Sequence, residues 1–288
     1  MLAHLGKHLA ATVAALTILT LAVTFAPAQG VAAAPSNPEP AAVPDPATSQ
    51  KGGGFEIRAM SFNILTASMA PGGATRAHRA ATEVQNNKRT VAAFQEVHQS
   101  QLKVLRNRLP RFKFYPRRTL DNFSGAIQIA WHTGEYDVRD KGEIYRPSMG
   151  KMRAIPWVKL KHRVTKRSFY VIAIHNAPGG LEAERDISTV REIKLIKRLG
   201  AKGKPVVVMG DMNERVEFCQ RVAKATDLVS LGGTKRNPCP VPPKAGPDWM
   251  LATWTGTRFS DYRKVYNGIS DHPMLVGNVW VEPLPPKV

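Results

Sequence analysis

The stretch Val206–Glu214, VVVMGDMNE, decides how this chain is read. Val206 to Met209 is a continuous apolar run, the pattern of a strand buried on both faces. Gly210, Asp211 and Asn213 follow directly, so a carboxylate and a carboxamide stand where a buried strand ends. The same arrangement recurs on either side. Phe169 to Ile174 (FYVIAI) is a buried-type run, and His175 follows it. Phe55 to Leu65 (FEIRAMSFNIL) is strand-like and carries Asn63 near its end. Lys88 to Val97 (KRTVAAFQEV) brings Gln95 and Glu96 to the end of an apolar stretch. Ala126 to Trp131 and Trp157 to Leu160 are further strand-like runs. Two polar clusters come at the start of a run instead: Asp248 before Trp249-Met250-Leu251, and Ser270-Asp271-His272-Pro273 before Met274 to Val281. In antiparallel pairs the end of one strand and the start of its neighbour share a rim. All six polar clusters are therefore expected at one edge of a sheet sandwich.

Helices are fewer. Leu181 to Leu199 sets Ile187, Val190, Ile193, Ile196 and Leu199 at helical spacing, with charges on the other face and Gly200 as a C-cap. Ala80 to Ala93 and Ser100 to Leu109 are read as two more. Strands alternating with helices, then a strand-rich end, indicate a mixed α/β architecture.

Composition narrows the function classes. The 288 residues are 43% hydrophobic, which excludes a disordered or collagen-like chain, and two cysteines exclude a disulfide-built miniprotein. The length suits one large domain. Lys plus Arg number 41 against 22 Asp plus Glu, a formal net charge of +19. Such an excess points to a polyanionic partner, nucleic acid or an anionic membrane.

Residues 1–34 read as a secretory signal peptide. Lys7 is followed by the uncharged run Leu9 to Ala26 and the small residues of Ala26-Pro27-Ala28 and Ala32-Ala33-Ala34. A retained membrane anchor is the alternative, since the run approaches spanning length. Residues 35–54 are a Pro/Ala/Ser/Gly linker, and the catalytic domain is assigned to 55–288. Export puts Cys219 and Cys239 in an oxidising compartment, where one even pair means one disulfide.

The polar set Asn63, Glu96, His175, Asp211, Asn213, Asp248, Asp271 and His272 is oxygen-rich. It favours Mg²⁺, Mn²⁺ or Ca²⁺ over zinc. There is no HExxH or Cys/His cluster, no GxSxG elbow and no P-loop. Metal, carboxylates and imidazoles together suit hydrolysis of a phosphate ester.

These residues resemble the endonuclease/exonuclease/phosphatase superfamily. The resemblance rests on Asn63 in SFNIL, Glu96 in FQEV, His175 in AIHN, Asp211 and Asn213 in GDMNE, Asp248 in DWML, and Asp271-His272 in SDHP, in that order from about Phe55 to Trp280. That superfamily holds secreted deoxyribonucleases, abasic-site endonucleases, sphingomyelinases and inositol polyphosphate phosphatases. The resemblance implies a DNase I-like four-layer α/β sandwich, two packed mixed β-sheets flanked by helices, with the site at one end. It implies Glu96 as the main Mg²⁺ ligand, assisted by Asn63 and Asp271. His272 would contact the scissile phosphate, oriented and kept protonated by Asp248. Asp211 would orient or deprotonate the attacking water beside Asn213, and His175 would be the second imidazole on the phosphate. Arg153, in KMRAIPWVKL, matches a phosphate-binding arginine. His98 stands two residues after Glu96, where secreted deoxyribonucleases tend to have arginine; with Arg153 and Asn213 it is a candidate substrate-binding residue, a place at the rim being the alternative. Tyr115 is the nearest match to their substrate-contacting tyrosine.

Basic clusters recur at Arg106 to Arg108, Arg111 to Arg118, Lys159 to Arg167 and Arg258 to Lys264. Lys113, Arg117 and Arg118 flank Phe112, Phe114 and Tyr115, a pairing of charge and rings that suits a nucleic-acid track. The expected protein is thus a secreted, monomeric, metal-dependent phosphodiesterase acting on DNA with low sequence specificity. A sphingomyelinase-type phospholipase C, a headgroup phosphatase and a non-catalytic basic binding module are the alternatives.

Overall fold

Strand β1 (Phe55–Asn63) sends Ile57 and Ala59 to one face and Met60 and Phe62 to the other, and all four are buried. A strand buried on both sides needs a layer above and a layer below it. The described residues supply these with eleven more strands and four helices. In chain order they are α1 (Gly73–Asn86), β2 (Val91–Val97), α2 (Gln99–Arg108), β3 (Phe112–Tyr115), β4 (Ala126–His132), β5 (Tyr136–Ser148), β6 (Lys151–His162), β7 (Ser168–His175), α3 (Glu182–Gly200), β8 (Val206–Asp211), α4 (Glu217–Ala225), β9 (Leu228–Ser230), β10 (Asp248–Thr253), β11 (Thr257–Val265) and β12 (Met274–Val281). The computed structural model describes residues 53–118, 126–240 and 246–285. The expected leader and all of the linker except Gly53 and Gly54 lie outside the described residues. Among the described residues no helix is long and apolar enough to cross a membrane.

The strands form two six-stranded sheets, in the orders β11-β12-β1-β2-β4-β3 and β5-β6-β7-β8-β10-β9. Each is mixed. β1 runs parallel to β2 in the first and β7 parallel to β8 in the second, and every other pair is antiparallel. Ile57, Val91 and Ile129 of the first sheet meet Val171, Val207 and Met209 of the second in the central core. Phe62 and Phe94 pack outward on α1 and α2, and Ile172 and Val208 on α3 and α4. Each such side chain, fully buried, contributes about 1.5–3 kcal/mol over leaving it in water. The four-layer sandwich expected from the sequence is the one observed.

Two helix readings are corrected. The helix placed over 80–93 is α1, which ends at Asn86; Ala92 and Ala93 lie in β2. Lys88 takes a left-handed φ of 51° and the Arg89 amide bonds back to Val84, closing the helix. Pairing with β1 and β4 then overrides the helical preference of alanine. In α3 the sequence placed Ile187 and Val190 inward, yet they are 47% and 46% exposed. The buried face instead carries Arg185, Ser188, Thr189 and Glu192 before Leu195, Ile196 and Leu199. The reason is polar: this half of the helix covers the loop after β7, where Arg185 donates to the carbonyls of Ala177 and Gly179, and Asn176 donates to Glu192. Gly200 is the last helical residue and Ala201 the C-cap. Cys219 of α4 is disulfide-bonded to Cys239, as the cysteine count indicated.

Candidate active site

Strand parity and register assemble the site. On β7, β8 and β10 the residues facing the other sheet include Val171, Ala173, Val207, Met209, Met250 and Ala252. Continuing the alternation to the strand ends puts His175, Asp211 and Asp248 on that same inner face. The register sets His175 opposite Asp211, and Asp211 opposite Asp248. Three functional groups thus stand in one row across three adjacent strands. Gly210 permits the row: a Cβ there would lie 1.9 Å from the carbonyl oxygen of Ile174.

The first sheet delivers its groups differently. Asn63 follows Ile57 and Ala59 to the inner face by parity. Glu96 does not, since on a regular strand it would share the helix-facing side with Phe94. A bulge between Phe94 and Val97 adds a residue, and Glu96 itself takes a left-handed φ of 58°. Bulges re-aim side chains at sheet ends, and a positive φ at a non-glycine residue is strain the surroundings must hold. His272 comes from the loop just before β12.

Asn63 Nδ2 donates to Glu96 Oε1 and to Asp211 Oδ2, both at 3.1 Å. The Thr66 amide donates to Glu96 Oε2 at 3.1 Å. The Asn213 amide donates to Asp211 Oδ1 at 2.9 Å, and Asn213 Nδ2 donates to the Asn176 carbonyl at 2.9 Å. His272 Nδ1 lies 3.0 Å from Asp248 Oδ2, and its Nε2 lies 3.6 Å from Asp211 Oδ2. His175 Nε2 is 3.6 Å from Asp211 Oδ2 and 3.9 Å from Glu96 Oε1.

The two imidazoles sit in opposite electrostatic settings. For His175 desolvation outweighs Asp211 and Glu96, and its pKa is lowered. His272 also loses solvation, but the hydrogen bond and charge of Asp248, with Asp211 and Asp271 beyond, raise it to about 9. Burial pushes Asp248 up to about 6 while the hydrogen bond to His272 draws it back. At neutral pH the pair is therefore imidazolium and carboxylate.

A cavity of about 260 Å³ opens over this floor. Glu96, His175, Asp211, Asn213 and His272 line it together with Arg153, so most of the residues singled out from the sequence meet here. Asp248 lies beneath, 1% exposed, behind His272. Asp271 is exposed, accepts a hydrogen bond from Ser270, and is not among the residues that line the cavity. His98 caps α2: its ring accepts from the Ser100 amide while Gln101 accepts from the His98 amide. It does not line the cavity. Tyr115 packs at the edge of the central core. Sequence reasoning missed Arg146, Ser148 and Asn176, all lining the cavity. Asn176 was legible as the residue after His175 in AIHN, whereas Arg146 and Ser148 lie in a charged, irregular stretch with no apolar alternation to place them.

Asp211, Asp248 and His272 bring two carboxylates and an imidazole to within 4.8 Å of one another, a spacing compatible with a metal site, although a protonated His272 leaves only the carboxylates to ligate. The Glu96 and Asp211 oxygens also converge on the Asn63 amide. The donor set is dominated by carboxylate oxygen, which fits a hard divalent cation. A second acidic group, Glu182, Asp186 and Glu214, is engaged by arginines instead, Arg185 on Glu182 and Arg221 on Asp186. A larger cavity, about 410 Å³, lies at the far end of the first sheet, but its Arg58 and Arg89 are already paired with Glu135 and Asn278.

No protein-family model matches the chain, and no curated protein matches its sequence. Solved structures do match. An endonuclease/exonuclease/phosphatase family protein from Bacteroides thetaiotaomicron aligns with a TM-score of 0.65 at 18% identity, over 80% of this chain and 99% of that one. The human nocturnin catalytic domain, bound to a sulfate anion, gives 0.66 at 18% over 78% and 93%. The Bacteroides thetaiotaomicron mannosyl-6-phosphatase gives 0.62 at 19% over 77% and 99%. At these identities the likeness is one of fold: the chain has the DNase I-like sandwich of the endonuclease/exonuclease/phosphatase proteins.

Proposed function

We propose that this protein is a divalent-metal-dependent phosphoesterase of that superfamily and that its substrate is the phosphodiester of a nucleic acid. The observation that carries the reading is the chain Asp248–His272–Asp211, which sets a protonated imidazole and an ionised carboxylate side by side in an open cavity. A protonated imidazole bonded to a carboxylate is a poor ligand, so Asp211, Asp248 and His272 serve proton and charge placement. The cation then belongs to Glu96; Asn63 positions that carboxylate through Nδ2 while its Oδ1 accepts from the Leu65 amide, and Asp271 would have to turn in from its exposed position to join it. A bound Mg²⁺ would offset charge on the phosphate and on the leaving oxygen.

The chain's own groups do the rest. Asp211, held by the Asn213 amide, accepts a proton from water as the water oxygen bonds to phosphorus; the bond to the leaving oxygen breaks with its electron pair, and the alkoxide takes up a proton from solvent to leave as the alcohol. His272 donates from Nε2 to a phosphate oxygen, its ring fixed by Asp248. His175, kept neutral by burial, donates a second hydrogen bond. Preorganised donors of this kind act where charge develops.

The nucleic-acid reading draws on the net charge of +19. By strand register Arg117, Arg118, Lys151 and Lys264 stand at the cavity end, whereas Arg111, Lys159 to Arg167 and Arg258 stand at the other. Only part of the basic surface therefore borders the site. Residues 1–34 are proposed as a cleaved secretory leader.

The test is hydrolysis by the chain from about Pro35, with Mg²⁺, Mn²⁺ or Ca²⁺, of plasmid DNA, sphingomyelin vesicles and p-nitrophenyl phosphate in parallel. Plasmid cleavage lost in Glu96→Ala and His272→Ala supports the proposal. Cleavage of lipid or monoester alone reassigns the substrate, and no turnover of any kind rejects the activity. Mass spectrometry of the exported protein reads the leader; an intact N-terminus would favour the anchor.

A further inference from the structure

Arg146 is the buried charge that the chemistry above does not use. It sits near the end of β5 and is 2% exposed. Its one hydrogen bond among the described residues runs from Nη1 to the neighbouring Pro147 carbonyl at 3.3 Å, and its Nε has no partner. No ion pair to it is formed by the described residues. A guanidinium buried without an ion-pair contact is costly in a free protein, even though Glu192, Glu184 and Asp211 favour its charge from further off.

Its neighbours make the arrangement more pointed. In the β5–β6 register Arg146 stands directly opposite Arg153, and both line the catalytic cavity. Like charges facing each other across a strand pair are destabilising. Ser148, two residues on along the same face of β5, is 2% exposed and lines the cavity as well. Desolvation lowers Arg146 to about 10, with Glu192 opposing and Arg153 adding, so the group is still a cation at neutral pH. The cavity wall therefore holds two guanidinium side chains, beside a floor where the imidazolium of His272 already faces the carboxylates of Asp211 and Asp248.

We infer that Arg146, with Arg153 and Ser148, forms a second anion subsite in the cavity, which reads a further phosphate charge on the substrate beside the scissile group. That charge is either a terminal phosphomonoester or the neighbouring phosphate of a chain. The inference rests on the phosphoesterase reading for its substrate, but its binding test does not.

The first experiment is calorimetric binding in EDTA, with inorganic phosphate and pyrophosphate as probes, on the wild type, Arg146→Met and Arg146→Lys. Pyrophosphate is expected to bind at least ten-fold more tightly than phosphate to the wild type. Arg146→Met should abolish that difference, with a Tm equal to or above the wild type because an unpaired buried charge is gone. Arg146→Lys should retain part of it, having the charge without the planar fork. Pyrophosphate binding no tighter than phosphate, or unaffected by Arg146→Met, overturns the subsite. So does an Arg146→Met Tm several degrees lower, which would make Arg146 a structural residue.

The second experiment compares kcat/KM for a thymidine dinucleotide with and without a 5′-phosphate, and for a longer oligonucleotide. A preference for the 5′-phosphorylated dinucleotide identifies the terminal source. A preference for the oligonucleotide alone identifies the neighbouring phosphate. Either preference should shrink about ten-fold in Arg146→Met. Equal loss on all substrates would place Arg146 on the scissile phosphate instead and overturn the subsite. Pyrophosphate binding without turnover of any substrate would leave the subsite standing and sink the phosphoesterase reading.

Discussion

The two walls of the cavity are built by different means. Both sheets share one plan, a parallel pair inside antiparallel flanks, and both end at the cavity. The second sheet places His175, Asp211 and Asp248 by register alone, on three neighbouring strands in unbroken alternation. The first sheet reaches the same space with Asn63 at a strand end, Glu96 thrown inward by a bulge, and His272 on a loop. A regular lattice can set a row of groups rigidly but only at fixed spacing. Groups that must approach that row from across the gap need local irregularity, and the left-handed φ of Glu96 is where that irregularity is stored.

The comparison can be broken most severely at the point where the walls touch. Asp211 meets Asn63 and His272 of the first wall and His175 of its own. Asp211→Asn and His272→Ala should each lower kcat by on the order of 10²–10⁴ in a metal-supplemented hydrolysis assay, with the fold retained by circular dichroism. Loss below ten-fold in both would mean that the row is scaffolding.

Next in size is the Asp248–His272 link. Asp248 holds His272 at about 9, so the basic limb of the kcat/KM profile is expected near that pH. In Asp248→Asn the limb should move down towards the ordinary histidine range. An unmoved limb would show that another group titrates there.

The same link makes a stability prediction. A histidine raised in the folded state stabilises fully below its unfolded value of about 6.5, and the contribution fades as pH rises through about 9. At about 1.4 kcal/mol per unit, up to ~3 kcal/mol should disappear over that window. Urea melts from pH 6 to 10 in EDTA should show it in the wild type and not in His272→Ala. His162, stacked on Phe55 far from the cavity, runs the other way. Burial first, and the charge of Arg58 second, depress it to about 4, so its stabilisation is present above 6.5 and is lost as pH falls towards 4. A histidine-to-glutamine change there should flatten the acid side alone.

The smallest effect concerns the bulge. Glu96→Gly and Glu96→Ala both remove the carboxylate and should both be inactive. Only glycine accepts a φ of 58° without cost, so Glu96→Gly should be the more stable by about 1 kcal/mol in the same melts. Equal stability would mean the backbone there is not strained.

This contrast also explains what could be read in advance. Runs such as FYVIAIH and VVVMGD announce buried strands with a polar end, because a strand covered on both faces must be apolar throughout and its end is the first place a functional group can stand. The α/β class and the gathering of the polar clusters at one edge follow from that local physics, whereas the four-layer sandwich of mixed sheets was implied by the family resemblance. The α3 face was misread because hydrophobic spacing favours Ile187 and Val190, whereas the helix turns its polar side inward to satisfy the loop beneath it.

The sequence by itself therefore determined the α/β alternation, the paired cysteines and the order of the polar clusters, which are encoded in short apolar periods and residue chemistry; the layered architecture it implied through the motifs that carry the family resemblance. Tertiary structure alone decided that Glu96 faces the cavity through a bulge, that His98 caps a helix, and that Arg146 lies buried opposite Arg153. Register, strand irregularity and cross-sheet distance join residues far apart along the chain, and no local period carries them.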